Sequence, residues 1–164
     1  VEQRKFQNII ETFGTAVPIK VKSYNVEKYE ILEEINRMSS NTLMETLKIT
    51  FTEIGDNYVV CKMPVTSDVH QPAGILHGGA TAALVETVGS FASYFFCQDK
   101  NISVRGIEIS ANHLKSISKG FVYATAKPIK IGKSIQLWEI KVTDGKNELI
   151  SLCKLTTYSK RLNN

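Results

Sequence analysis

Apolar residues recur along this chain with two different periods, and the change falls near Lys48. Upstream, Phe6, Ile9, Ile10 and Phe13 follow the i, i+3, i+4, i+7 spacing of a short amphipathic helix, with Gly14 as its stop. An irregular stretch around Pro18 separates it from a second helix, predicted from near Asn25 with Tyr29, Leu32, Ile35 and Met38 on one face. Ser39-Ser40-Asn41 would interrupt that helix and cap a final turn through Leu47.

From Lys48 the period is two. Ile49-Thr50-Phe51-Thr52 and the run from Tyr58 to Met63 flank Gly55-Asp56-Asn57 and read as a hairpin. A polar loop, residues 64–76, leads into a long apolar helix over residues 78–97. Strands are predicted over residues 104–113, 121–131 and 135–142, and Gly145 turns the chain into a last strand over 149–158. This is an α+β pattern in which one antiparallel sheet wraps a single central helix. Residues 1–25 form a helical extension and residues 26–160 the domain proper. One helix leaves part of such a sheet uncovered, so a second copy of the chain is expected against it.

At 164 residues the chain holds one domain with a sizeable core. The net charge of +4 comes without any Lys/Arg block, which argues against a nucleic-acid footprint. Cys61, Cys97 and Cys153 are odd in number and widely spaced, as expected of structural free thiols in a reducing, cytoplasmic compartment. The first residues, Val1-Glu2-Gln3-Arg4-Lys5, do not read as a signal peptide, and the missing initiator Met suggests a trimmed or partial chain. Residues 78–97 are long and apolar enough to resemble a membrane span, but Glu86, three glycines and several Ser/Thr mark a buried core helix instead.

Glu86 is the only Asp, Glu, Lys or Arg between Asp68 and Asp99. An unpartnered carboxylate is costly to bury, so its place in a small-residue helix points to chemistry. Ser90 lies four residues on, on the same helical face, where it could orient the carboxylate or a water, or simply bond back to its own helix. Gly78-Gly79 at the helix start leaves backbone N–H groups open to a carbonyl oxygen that turns negative; the pair could equally just let the helix start close to the sheet. Gln71 and His77 sit in the preceding loop. His77 and Glu86 are nine residues apart, roughly 13 Å along a helix and about half a turn out of phase. If both touch one substrate, they come from different subunits.

The run His70-Gln71-Pro72-Ala73-Gly74-Ile75-Leu76-His77-Gly78-Gly79, then Glu86 and Ser90, resembles the active-site signature of hotdog-fold acyl-CoA thioesterases. The nearest group holds 1,4-dihydroxy-2-naphthoyl-CoA hydrolase, the enterobactin-pathway proofreading thioesterase, and the thioesterases of 4-hydroxybenzoyl-CoA and phenylacetate pathways. Gly106-Ile107-Glu108-Ile109-Ser110-Ala111-Asn112-His113-Leu114-Lys115 resembles it too, as does Lys130-Ile131-Gly132-Lys133 leading to Gln136-Leu137-Trp138-Glu139-Ile140. The resemblance implies hydrolysis of an aryl- or medium-size acyl-CoA with Glu86 as nucleophile or general base. Gly78 N–H would polarise the carbonyl, Gln71 and His77 would hold the thioester and assist the thiolate, and Ser90 would support Glu86 and the water. It also implies a homodimer with shared sites, a dimer of dimers, and no metal or cofactor beyond the CoA of the substrate. No HExxH or Cys/His cluster suggests otherwise. Lys115, Lys130, Lys133 and Arg105 are candidates for the CoA phosphates. Phe91, Tyr94 and Phe95 are candidates for an acyl pocket or for plain core. An acyl or aryl carrier protein is the alternative donor, and a non-catalytic acyl-CoA sensor is the alternative class. A hydratase on the same fold would use an Asp/His pair such as Asp68 and His70, but Gly78-Gly79 and Glu86 do not suit it.

Overall fold

A computed structural model describes residues 24–97 and 101–162, with side chains from Lys28 onward. The helix expected over residues 6–13 lies outside them. Helix α1, Tyr24–Met38, leads to a single turn, α2, Leu43–Thr46. Strands β1, Thr50–Ile54, and β2, Val59–Val65, form the first hairpin, closed by the Gly55 N–H on the Tyr58 carbonyl at 2.8 Å. A 3-10 turn, Ser67–Val69, precedes the long helix α3, Gly78–Phe96. Strands β3 (Ile102–His113), β4 (Gly120–Ile131), β5 (Ile135–Asp144) and β6 (Leu149–Arg161) complete one six-stranded sheet in the order β1-β2-β4-β5-β6-β3. Every pairing is antiparallel.

The sheet wraps α3 because α3 is apolar nearly all round. Leu84, Val85, Val88, Phe91 and Ala92 are buried against Met63, Val122, Trp138, Ile140 and Leu155 from the strands. Burying each of the larger side chains stabilises the fold by about 1.5–3 kcal/mol. Gly89 sets how close helix and sheet come: a Cβ there would lie 2.4 Å from Leu155 Cδ2. Polar contacts fix the far half of the helix. Ser93 Oγ lies 2.7 Å from Thr157 Oγ1, while Thr157 and Ser159 both donate to the buried Gln136 amide oxygen at 2.9 Å.

The two ends of the sheet are treated differently. On β1, the Asn36 side chain of α1 donates to the Phe51 carbonyl at 2.9 Å and accepts from its N–H at 2.8 Å, standing in for a further strand. That edge is closed. Strand β3 pairs with β6 alone, and its outer edge carries exposed Ile107 and Ile109. A bulge between Gly106 and Glu108 reverses which residues face α3: Ile102, Val104 and Gly106 before it, Ala111 and His113 after it.

Several sequence expectations need correction. The buried face of α1 runs through Ile31 with Leu32 and Ile35 beside it, while Tyr29 is 62% exposed and pairs with Glu33 instead. Thr42, not Ser39-Ser40-Asn41, caps α2 by accepting from Met44 N–H. Strand β2 continues through Pro64 to Val65, because the missing proline N–H removes one donor while Val65 still fills the core. Strands β3, β5 and β6 also run two to three residues longer than predicted. No helix among the described residues is long and apolar enough to cross a membrane.

Candidate functional site

The loop before α3 is held in shape by its own backbone. His70 bridges Leu76, Gln71 N–H donates to the Ile75 carbonyl at 2.8 Å, and Gly74 takes a φ of +74° that other residues resist. His77 N–H donates to the Val69 carbonyl at 2.9 Å, and Leu76 N–H to that of Ile117 at 2.8 Å. The helix therefore starts at a fixed point.

His77 is its N-cap. The ring Nδ1 accepts from Gly79 N–H at 2.8 Å, which puts the neutral ring's proton on Nε2 and leaves His77, an exposed residue, with an outward donor. Gly78 N–H has no acceptor among the described residues, as befits the first turn of a helix. In the loop before it, Gln71 Oε1 accepts from Ala73 N–H at 3.0 Å, so the amide NH₂ is the end left to reach outward.

Glu86 stands two and a half turns further along α3. Ser90 Oγ donates to its Oε1 at 2.9 Å. Glu86 is half-buried rather than fully enclosed, because α3 turns it toward edge strand β3 and away from the sheet interior. The carboxylate lies over Gly106, where a built Cβ would come 2.2 Å from Oε1 and 2.5 Å from Oε2. Within one chain the Gly78 N–H and the Glu86 carboxylate sit at opposite ends of eight residues of helix, about 12 Å apart by rise. One carbonyl cannot meet both.

The remaining predicted residues do not gather at one place. Lys115 is at the α3 N-terminal end of the sheet, ion-paired with Glu148. Lys130 and Lys133 are exposed at the opposite end, in and after the outer part of β4, and Arg105 is exposed on β3 opposite Tyr158. Phe91 and Phe95 stack with ring centres 5.8 Å apart and face the main core, whereas Tyr94 turns to Cys97 and Ile102. One helical face cannot present all three. Asp68 is salt-bridged to Lys48 at 2.9 Å, which holds its carboxyl below the usual range, and His70 Nε2 lies 3.0 Å from the Ser118 carbonyl. Both line a hollow on the His77 side of α3, with Ala80 and Ala83.

His113 is a neighbour of the site that the sequence placed in a resembling run, Gly106 to Lys115, without a role of its own. Its Nδ1 lies 3.0 Å from Ser151 Oγ, and a Cβ on Gly78 would come 2.6 Å from its Nε2. A cavity of about 230 Å³ opens beside it, lined by Leu76, Thr81, Ile117 and Ser151 among others. A second, of about 330 Å³, lies on the His77 side, between Leu43, Leu47, Ala80 and Ala83. Among the described residues no cluster of three His, Cys, Asp or Glu side chains is gathered as metal ligands. All three cysteines are buried and unpaired, and burial alone pushes Cys153 up to about 11 and Cys61 well above the ordinary thiol value. At neutral pH those two are thiols, not nucleophiles.

The Thioesterase superfamily profile matches residues 73–151. A Vibrio cholerae protein whose name marks it as a candidate esterase is 42% identical over 130 residues, covering 79% of this chain and 86% of that protein. A crystal structure of a Haemophilus influenzae thioesterase superimposes with a TM-score of 0.78 at 34% identity, covering 88% of this chain and 95% of that one. A glutamine-to-alanine variant of a Pseudomonas aeruginosa thioesterase gives 0.77 at 34% identity, covering 80% and 94%.

Proposed function

This chain belongs to the thioesterase superfamily with the hotdog fold, and we propose that it hydrolyses an aryl- or medium-size acyl-CoA to the free acid and CoA. The observation that carries the reading is the Glu86 carboxylate, held by Ser90 and turned to the open β3 edge, on the same helix as an unengaged Gly78 N–H.

The reacting carbonyl needs a donor where its oxygen becomes negative and a base or nucleophile at its carbon. Gly78 N–H serves as the donor, reinforced by the positive end of α3. Glu86 takes a proton from water as the water oxygen adds to the acyl carbon. The C–S bond then breaks and the thiolate leaves with that proton. In the alternative route the carboxylate itself adds and expels the thiolate, and water opens the mixed anhydride; ¹⁸O found in Glu86 after one turnover in ¹⁸O-water establishes that route with water adding at Glu86 Cδ, whereas label in the acid alone fits water adding at the acyl carbon in either route. His77 Nε2–H and the Gln71 amide hold the thioester and assist the thiolate.

Because about 12 Å of helix separates the two halves, each site draws Glu86 and Ser90 from one protomer and Gln71, His77 and Gly78 from its partner. The open β3 edge, with β1 closed by Asn36, supports antiparallel pairing of two β3 strands. Such pairing carries the start of each α3, which lies beside His113, toward the other protomer's Gly106 end. Exposed Ile135 and Tyr158, opposite one another on the outer sheet face, support a second packing of dimer on dimer. Lys115, Lys130, Lys133 and Arg105 lie at different ends of one sheet, and in a dimer the two protomers together supply cations for the CoA phosphates. The three buried thiols suit a cytoplasmic protein.

The test is thiol release from a panel of aryl- and alkyl-CoA esters, with matched acyl carrier proteins, on the wild type and Glu86→Ala. Turnover on CoA esters that falls by about a thousandfold or more in the variant supports the reading. Preference for carrier-bound groups moves the donor, and binding without turnover on any ester overturns hydrolysis.

A further inference from the structure

We propose that Gly106 is a positioning residue for Glu86: its missing side chain is the slot in which the carboxylate is held against Ser90. The proposal rests on the reading of Glu86 as the acting carboxylate. Glycine in the interior of a strand weakens the strand and calls for a reason. Backbone conformation does not supply one, since positive φ among the described glycines occurs at Gly74 and Gly120 and not at Gly106. A bulge adjoins it, between Gly106 and Glu108, and it too places no positive φ on Gly106.

Space does supply one. All three atoms nearest to a built Cβ at this position belong to the Glu86 carboxylate, with Oε1 at 2.2 Å, Oε2 at 2.5 Å and Cδ at 2.6 Å. The nearest, Oε1, is the oxygen that accepts from Ser90. Contrast Gly89, whose absent Cβ makes room for Leu155 and Ile140 of the core. There a methyl group would push helix from sheet. At Gly106 the obstacle is the free end of a flexible side chain, so a methyl group moves the carboxylate and leaves the fold in place. The strand backbone and Ser90 thus grip Glu86 from two sides.

Three proteins test this: Gly106→Ala, Glu86→Asp, and the two combined, with Gly145→Ala, in open space, as the control for the same change elsewhere. In a crystal structure of Gly106→Ala the carboxylate should stand about 1 Å or more from its present place, off Ser90, with the strand unmoved, and kcat should fall by about a hundredfold while the melting midpoint holds. Aspartate is one methylene shorter and clears the added methyl group, so the combined variant should lose less than the product of the two single losses. A carboxylate still on Ser90 in Gly106→Ala, or wild-type kcat there, or strictly multiplicative losses, would overturn the proposal. A wild type that turns over no thioester, with the carboxylate displaced in the Gly106→Ala crystal, removes hydrolysis and leaves the placement of Glu86 by Gly106 standing.

Discussion

Ser90 donates to Glu86 from one helical turn away, at 2.9 Å, while the backbone of Gly106 lies beneath the same carboxylate. The bond runs along α3, so it forms as soon as the helix does, and it holds the carboxylate facing the β3 edge before any partner arrives. A hydrogen bond to a charged group contributes about 1.5–3 kcal/mol. Ser90→Ala should therefore lower kcat by about ten- to a hundredfold, with little change in KM, and lower the melting midpoint by several degrees. Steady-state kinetics on the preferred ester measures this; a fall in KM affinity alone would place Ser90 in binding.

Asn36 makes both of its hydrogen bonds to the backbone of Phe51. Asn36→Ala leaves the N–H and carbonyl of Phe51 without partners and should destabilise the protein by about 1–3 kcal/mol in urea unfolding. It should also open the β1 edge, so aggregation on storage should rise. Asn36→Asp keeps the bond to the N–H only and should fall between.

Cys61, Cys97 and Cys153 are buried. Native protein should react with none of its thiols against a disulfide-exchange reagent at pH 8 over minutes, and denatured protein with all three. Rapid labelling of Cys153, whose thiol burial raises to about 11, would show that the β6 segment opens readily.

Asp144 closes the β5–β6 hairpin by accepting from the N–H groups of Lys146 and Glu148 at 2.8 and 2.9 Å, which lowers its pKa. A carboxyl depressed in the folded state adds stability above its unfolded pKa and loses it as pH falls through the folded one. Asp144→Ala should thus lower the melting midpoint at pH 7, and the gap to wild type should close in acid, below the ordinary Asp range. A gap independent of pH would assign the effect to shape and not to charge.

Glu86 could be singled out from sequence because a lone charge in an apolar helix stands out without knowing what packs around it. Its spacing from His77 likewise needs only helical geometry. Gly106 and His113 could not be found that way. Each matters through what lies opposite it, and that depends on the register of β3 on β6 and on a bulge that shifts the strand's alternation midway. Eight of the twelve β3 residues are exposed on this end strand, a pattern that reads poorly as a buried strand. Tyr29 failed for a related reason: an amphipathic stripe can be drawn through it, but α1 meets β1 along Ile31 and Ile35 instead. The scattered lysines carried no positional signal, since exposed lysine is common anywhere on a surface.

Mixing inactive partners is the most direct test of the proposed site shared between protomers. Glu86→Ala and His77→Ala each remove one half of every site in a homodimer. Co-expressed, they form heterodimers in which one of the two sites is intact and the other lacks both groups. With random pairing the mixture should recover about one quarter of wild-type turnover, against near zero for either parent. A mixture as inactive as its parents, with heterodimers shown to be present, would contradict the shared site.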